Sequence, residues 1–336
     1  KSVYTNAAQK DGGLGGSHGM RATVFSKLPV KSTDILILGD GTVHGGEWHE
    51  LLQSDRVKGR GTGWGFPGAS LADATKLIEP TFHDGATPAQ VYLHMAASDV
   101  LGSTELATIL TNYKTAVVKI QQLSPTTEIV LTSILPTNDA TKNSTRVAAF
   151  NTMLKEYADE DGTDKIHYLD IYTDLVKDGK ANTALFNGNY LYGRGYVKVA
   201  QKIAAQIKAL EPNAEVTAIT DAEAEALFTR FDNRTALGKA VVTASLLPEG
   251  DGVGQYTTAN LAGVKTQIEA AYTALKNNDM DAIATNATAF TTAVNEVLPK
   301  INQPTYSTTT DVWYQLYTPG RGSKYLTSNG AGAGVT

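Results

Sequence analysis

Short apolar runs alternate with helix-periodic stretches over the first two thirds of the chain. Asp34-Ile35-Leu36-Ile37-Leu38 runs into Gly39. Val91-Tyr92-Leu93-His94-Met95, Glu128-Ile129-Val130-Leu131-Thr132 and Ile166-His167-Tyr168-Leu169 follow. Runs that are continuously apolar, rather than alternating, mark strands buried on both faces of a parallel sheet. Leu106, Ile109, Leu110, Tyr113, Val117 and Ile120 share one face at helical spacing. Val147, Phe150, Leu154 and Tyr157 do the same, and so do Tyr196, Val199, Ile203 and Ile207. Strands alternating with helices predict βαβ units and a three-layer α/β/α sandwich with a parallel sheet. Ligands of such sheets sit beyond the carboxyl ends of the strands. Those ends are Gly39–Thr42, Ala96–Asp99 and Ser133–Asn138.

The flanks follow other patterns. Residues 1–27, with Gly12-Gly13-Leu14-Gly15-Gly16, have no period and read as a loop-rich arm. The α/β pattern occupies 28–212. From 213 to 302 the strand signal stops, and Asp221 to Phe231, Leu237 to Leu247, Leu261 to Leu275 and Met280 to Leu298 are Ala-rich and helical in pattern. The Asn277-Asn278-Asp279 turn makes the last two of these antiparallel neighbours in a small helical bundle. Residues 303–336 hold Val312-Trp313-Tyr314-Gln315-Leu316-Tyr317 and a Gly-rich end, the pattern of an incomplete β module whose natural chain continues. A first residue that is Lys1 and not Met reads as a processed or trimmed product.

Composition narrows the function classes. The 336 residues are 42% hydrophobic and 19% charged, enough apolar material for real cores. With 29 basic and 34 acidic residues the net charge is -5, so no chain-wide basic field for nucleic acid is expected. No apolar stretch is long enough to span a membrane. Cysteine is absent, which excludes disulfides, thiol nucleophiles and Cys-ligated zinc. His49 and His83 have no third ligand at metal spacing, so neither a metal nor a cofactor is expected. Three glycosylation sequons begin at Asn143, Asn233 and Asn286 and read as chance matches.

Five blocks carry a resemblance. The first is Ile35-Leu36-Ile37-Leu38-Gly39-Asp40-Gly41-Thr42-Val43-His44-Gly45-Gly46-Glu47-Trp48. The second is Lys58-Gly59-Arg60-Gly61, continuing through a longer loop to Phe66-Pro67-Gly68-Ala69-Ser70. Leu93-His94-Met95-Ala96-Ala97-Ser98-Asp99 and Ser133-Ile134-Leu135-Pro136-Thr137-Asn138 are the third and fourth. Phe186-Asn187-Gly188-Asn189-Tyr190-Leu191-Tyr192-Gly193-Arg194-Gly195-Tyr196 is the fifth. In this order, from about Phe25 to Leu210, they resemble the SGNH/GDSL hydrolases, in particular the secreted bacterial carbohydrate-esterase-like branch. The resemblance implies a flavodoxin-like sandwich and a bacterial protein that is secreted, periplasmic or displayed on the cell surface.

The chemistry departs from the pattern the resemblance implies. Gly41 stands where the family has its nucleophilic Ser, and glycine has no side chain to attack a carbonyl. Tyr190 stands where the family has its general base His, and a phenol titrating near pH 10 is a poor base at neutrality. Asn187 replaces the carboxylate that orients the base. Of the oxyanion-hole positions Gly41, Gly68 and Ser98, Ser98 replaces an Asn donor, and Ala96 replaces the Gly of that turn. No catalytic residue is therefore assigned. Asp40, His44, Trp64, His94, Asp99 and Tyr190 are the ligand-pocket candidates.

Each candidate has a plainer reading. Asp40 reads as an acceptor for loop amides, His44 as a rim residue and His94 as a core histidine. Trp64 reads as an anchor of the Gly-rich loop, and Trp313, Tyr314, Tyr317 and Tyr325 as the packed face of a hairpin. Three functions follow. One is a pseudoenzyme that binds a glycan or related small molecule at the former esterase site. Another is an acetyl esterase of carbohydrate esters with displaced catalytic residues, His44 or His94. The third is a structural module that takes a protein partner through the bundle.

Overall fold

The computed structural model describes residues 16–63 and 65–304. Trp64 and the aromatic residues after 304 lie outside them. Two compact units divide the chain, one ending at Ala224 and the other beginning at Glu225.

The first unit is built on five parallel strands, β1 (Ile35–Gly39), β2 (Val57–Gly61), β3 (Gln90–His94), β4 (Glu128–Thr132) and β5 (Ile166–Leu169). Their order is β2-β1-β3-β4-β5. The switch point of this order lies between β1 and β3, where the carboxyl ends of two strands diverge and a crevice opens. Gly39 is in register with Gly61 on one side and His94 on the other. The helices are α1 (Gly16–Phe25), α2 (Gly41–His44), α3 (Trp48–Leu51), α4 (Leu71–Thr75), α5 (Ile78–Thr81), α6 (Ala97–Leu101), α7 (Leu106–Leu123), α8 (Ala148–Asp159) and α9 (Gly193–Leu210).

Strand alternation sorts the core into two layers. Leu36, Leu38, Val91, Leu93, Ile129 and Leu131 meet Tyr113, Val117, Ile120, Phe150 and Leu154 of α7 and α8. Ile35, Ile37, Tyr92 and Val130 meet Trp48, Val199, Ile203 and Ile207 on the other face. The α/β/α sandwich read from the apolar runs is thus present, with α7, α8 and α9 on the three helical stripes.

Several elements differ from the sequence reading. The arm read as loop carries α1, whose Ala22 and Phe25 are buried against Leu77. β2, Val-Lys-Gly-Arg-Gly, has no apolar run because it is an edge strand with one neighbour. The first unit runs past Pro212. Arg56 holds Glu211 through two hydrogen bonds of 2.9 and 2.7 Å, and Ala214 and Val216 are buried in the second core layer. Thr217 N–H donates to the Leu52 carbonyl at 3.0 Å.

The second unit contains α10 (Asp221–Ser245, which begins within the first unit), α11 (Thr258–Asn277) and α12 (Met280–Val297). α10 is one continuous helix where two were expected, because Asn233 and Gly238 are tolerated inside it. Asn278, at φ 53°, ends α11, and the Asp279 carboxylate accepts from the Ala282 N–H at 2.9 Å to start α12. Leu237, Val241, Val264, Ala271, Ile283 and Phe290 form its core. Among the described residues no helix is long and apolar enough to cross a membrane.

The loop after β4 hangs on two buried amides. The Asn151 side chain accepts from Ile134 N–H at 2.7 Å and donates to the Ile134 carbonyl at 3.0 Å. Asn143 accepts from Thr137 N–H and donates to the carbonyls of Thr137 and Gly179, each at 2.8 Å. Asn143 is therefore sealed off from glycosylation in the folded protein. Asn143→Ala should cost about 2 kcal/mol or more, since it strands buried backbone groups. Urea unfolding with an unchanged m value is the check, and a loss below about 0.5 kcal/mol would contradict this account.

Candidate functional site

The end of β1 places Asp40 and Gly41 at the switch point. Asp40 is the N-cap of α2, its Oδ1 accepting from the Thr42 N–H at 3.0 Å. The first residue of that helix is Gly41, at the position where the sequence resemblance places a nucleophile. A Cβ on Gly41 would collide with the carbonyl oxygen of Gly65 and lie 3.2 Å from the Cα of Gly68. The space a serine side chain needs is therefore filled by the backbone of the Gly-rich loop after β2. Gly68 has φ +77°, and a Cβ there would collide with the Gly41 nitrogen. Only two glycines permit this approach.

Tyr190 closes over the same loop. Phe186–Asn187 and Tyr190–Leu191 form a two-stranded hairpin that pairs Asn187 with Tyr190. The Tyr190 ring and hydroxyl lie 3.0 and 3.3 Å from the Cβ direction of Gly65. The ring is nevertheless 55% exposed, and Tyr192 beside it is 44% exposed. Gly41, Gly65, Gly68 and Tyr190 thus form one constellation, with Asn187 exposed at its margin. Gly65 is the member sequence reasoning missed. The longer Gly-rich loop beside a glycine at the nucleophile position was its only signal.

The other candidates are placed apart from this surface or turned inward. His44 Nδ1 lies 2.6 Å from the Gly63 carbonyl oxygen, tying α2 to the same loop. Ser98 is half-buried in α6, behind Ala96, which keeps φ +79° without being glycine. Asp99 accepts from the Leu71 N–H at 2.7 Å and so holds the start of α4. No hydrogen bond or ion pair joins Asp99 to His94. His94 is buried, with Nδ1 at 2.9 Å from the Thr132 hydroxyl, which itself donates to the Leu93 carbonyl at 2.9 Å. The Nδ1 atom must then carry the proton, leaving Nε2 as an acceptor. Trp48 is buried. Its Nε1–H donates to the Val43 carbonyl at 2.8 Å, and its ring meets Tyr196 edge-on at 5.7 Å. The Tyr196 hydroxyl in turn donates to the Thr42 carbonyl at 2.9 Å.

Four buried side-chain polar atoms among the described residues have no hydrogen-bond partner, and two of them, Oδ2 of Asp40 and Nε2 of His94, lie at this end of the sheet. Burial disfavours the charged form of each. It pushes the Asp40 carboxyl up to about 8, against hydrogen bonds from loop amides, and the His94 imidazole down to about 4. At neutral pH the site floor is therefore an uncharged acid and an uncharged base. The His94 imidazole is sealed under the sheet end and its one proton is held by the Thr132 hydroxyl, out of reach of a substrate.

No protein-family model and no curated protein sequence matches the chain. Solved structures do match it. A candidate platelet activating factor from Streptococcus pneumonia is 18% identical with TM-score 0.50, covering 61% of this chain and 94% of that one. A candidate acylhydrolase from Bacteroides fragilis is 22% identical with TM-score 0.46, covering 56% and 95%. A lipolytic protein of the G-D-S-L family from Desulfitobacterium hafniense is 20% identical with TM-score 0.43, covering 52% and 98%. The first of these is a likeness of fold alone, an α/β sandwich on a parallel sheet.

Two outcomes test the site. Gly41→Ser should lower stability by about 1–3 kcal/mol through overpacking against the Gly65 carbonyl. An unchanged unfolding midpoint would show that the loop yields freely. The second concerns pH. Asp40 stays protonated in the fold up to about 8 but ionises near 3.8 when unfolded, so its linkage lowers stability as pH rises through that window. His94 stays neutral down to about 4 but protonates near 6.5 when unfolded, so its linkage lowers stability as pH falls below 6.5. The two oppose each other between about 4 and 6.5, and only the Asp40 contribution remains from there to about 8. Asp40→Asn should therefore flatten the fall in stability from pH 6.5 to 8 relative to the parent chain. Equal slopes in denaturant titrations would mean that Asp40 is ionised in the fold.

Proposed function

We propose that this chain is a non-hydrolysing SGNH-fold protein that binds a carbohydrate on the surface where related folds carry out ester hydrolysis. The observation that carries the reading is the Gly65 carbonyl oxygen in the place of a nucleophile's side chain. An acyl-transfer site needs an attacking atom, a base within hydrogen-bond reach and an orienter. Here the first position is backbone, the second a phenol and the third an exposed amide. The reading of displaced catalysis draws no support from His44, which is tied to the loop carbonyl, or from His94, which is sealed beneath it.

Binding has better material. Tyr190 and Tyr192 stand exposed next to each other on the hairpin, above a loop of small residues. Aromatic faces pack on the apolar C–H faces of sugar rings, and their hydroxyls bond sugar hydroxyls. The flanking Asn187 is a neutral donor and acceptor that suits an uncharged glycan.

The test has two arms on the purified chain. Hydrolysis of p-nitrophenyl acetate and acetylated sugars should not exceed that of a heat-treated control. Titration calorimetry against a panel of soluble, partly acetylated polysaccharides should show binding that Tyr190→Ala weakens about tenfold, the loss of one stacking contact. A saturable esterase rate abolished by His44→Ala or His94→Ala would overturn the non-hydrolysing reading. Binding indifferent to Tyr190→Ala would overturn the assigned surface.

A further inference from the structure

α10 is apolar on two sides. Leu237, Val241 and Ala244 face the core of the second unit. A second set faces away from it. Leu227 is 49% exposed, Phe231 68%, Val242 62% and Leu246 77%. At 3.6 residues per turn Leu227, Phe231 and Val242 fall within about 60° of the helix circumference, so they form one stripe, and Leu246 follows in the turn directly after the helix. Thr235 and Gly238 lie on the stripe between them, and nothing stands within 4 Å of the place a Cβ on Gly238 would take.

The stripe is symmetric about its own midpoint. Leu227 and Leu246 are equidistant from the point between Ala236 and Leu237, and so are Phe231 and Val242, and Thr235 and Gly238. A second α10 laid antiparallel across this point sets Phe231 of each copy against Val242 of the other. It also sets the small residues together at the centre, where close approach is needed. Such a contact is isologous, the same patch meeting itself about a two-fold axis. The charges agree. Asp232 and Lys239 lie on the same edge of the stripe and make no ion pair among the described residues. In the antiparallel arrangement Asp232 of one copy comes alongside Lys239 of the other, twice.

We propose that α10 is the homodimerisation element of this protein, pairing antiparallel with a second copy through Leu227, Phe231, Val242 and Leu246. The paired stripes are smaller than the roughly 800 Å² per partner of a standard stable interface. The dimer is therefore a concentration-dependent equilibrium and not an obligate assembly. This inference stands independently of the proposed carbohydrate site.

Sedimentation equilibrium of the full chain from micromolar to hundreds of micromolar should show the mass rising from one copy towards two. Phe231→Glu should weaken association roughly tenfold or more by burying an unpaired charge. The position is exposed, so the unfolding midpoint should hold. Asp232→Lys should weaken association, and adding Lys239→Asp should restore it. Because the chain has no cysteine, register can be read directly. Phe231→Cys combined with Val242→Cys should give a disulfide-linked dimer on mild oxidation. Phe231→Cys alone should not, since like positions lie about 16 Å apart along the antiparallel axis. A monomer at every concentration overturns the proposal. So does a dimer indifferent to Phe231→Glu, or efficient cross-linking through Phe231→Cys alone.

Discussion

One close approach of backbone to backbone governs the switch point of this sheet. The Gly65 carbonyl and the Gly68 Cα press on Gly41, and each of these contacts exists only because a side chain is missing. Protein interiors do not stretch to admit an extra methylene, let alone a hydroxymethyl group, without displacing their neighbours. Glycine at position 41 is therefore a packing requirement. Tyr190 rests on Gly65 and extends the same constraint outward.

What lies beneath follows from that closure. With the loop seated on Gly41, Asp40 and His94 are cut off from water, and the low-dielectric surroundings favour their uncharged forms. Asp40 still caps α2 through Oδ1, a role that a neutral carboxyl fills as an acceptor. His94 spends its one proton on Thr132 and holds β3 to β4. Groups that would be read as an acid–base pair from composition alone are here two struts under a sheet end.

The parallel sheet was legible because β1, β3 and β4 are continuous apolar runs, and the long helices because their stripes keep one period. β2 was not, since an edge strand that leans on glycines and on α1 has no hydrophobic signature of its own. Arg21 and Arg60 on either side show what replaces it, both guanidinium groups stacking on the Phe25 ring at 4.7 and 5.2 Å. Gly41, Tyr190 and Asn187 were readable as substitutions relative to the pattern that the five sequence blocks resemble. What the substitutions do to one another was not. That Gly65 meets both Gly41 and Tyr190 depends on the path of a loop, and loop paths follow from tertiary packing and not from local periodicity.

Ala96 shows how firmly the backbone at the end of β3 is held. An alanine at φ +79° carries a strain of about 1 kcal/mol or more that a glycine would avoid. The turn keeps its left-handed geometry even so, because the buried residues on either side, Met95 and Ala97, fix the chain in both directions. Asp40 as a cap and Tyr196 on the Thr42 carbonyl act in the same sense, each holding backbone and not substrate. The restraints that place the loops at the carboxyl ends of β1 and β3 are thus separate from the groups that would react there. A fold in which the residues that position the loops are separate from those that face outward can vary the second and keep a shaped surface.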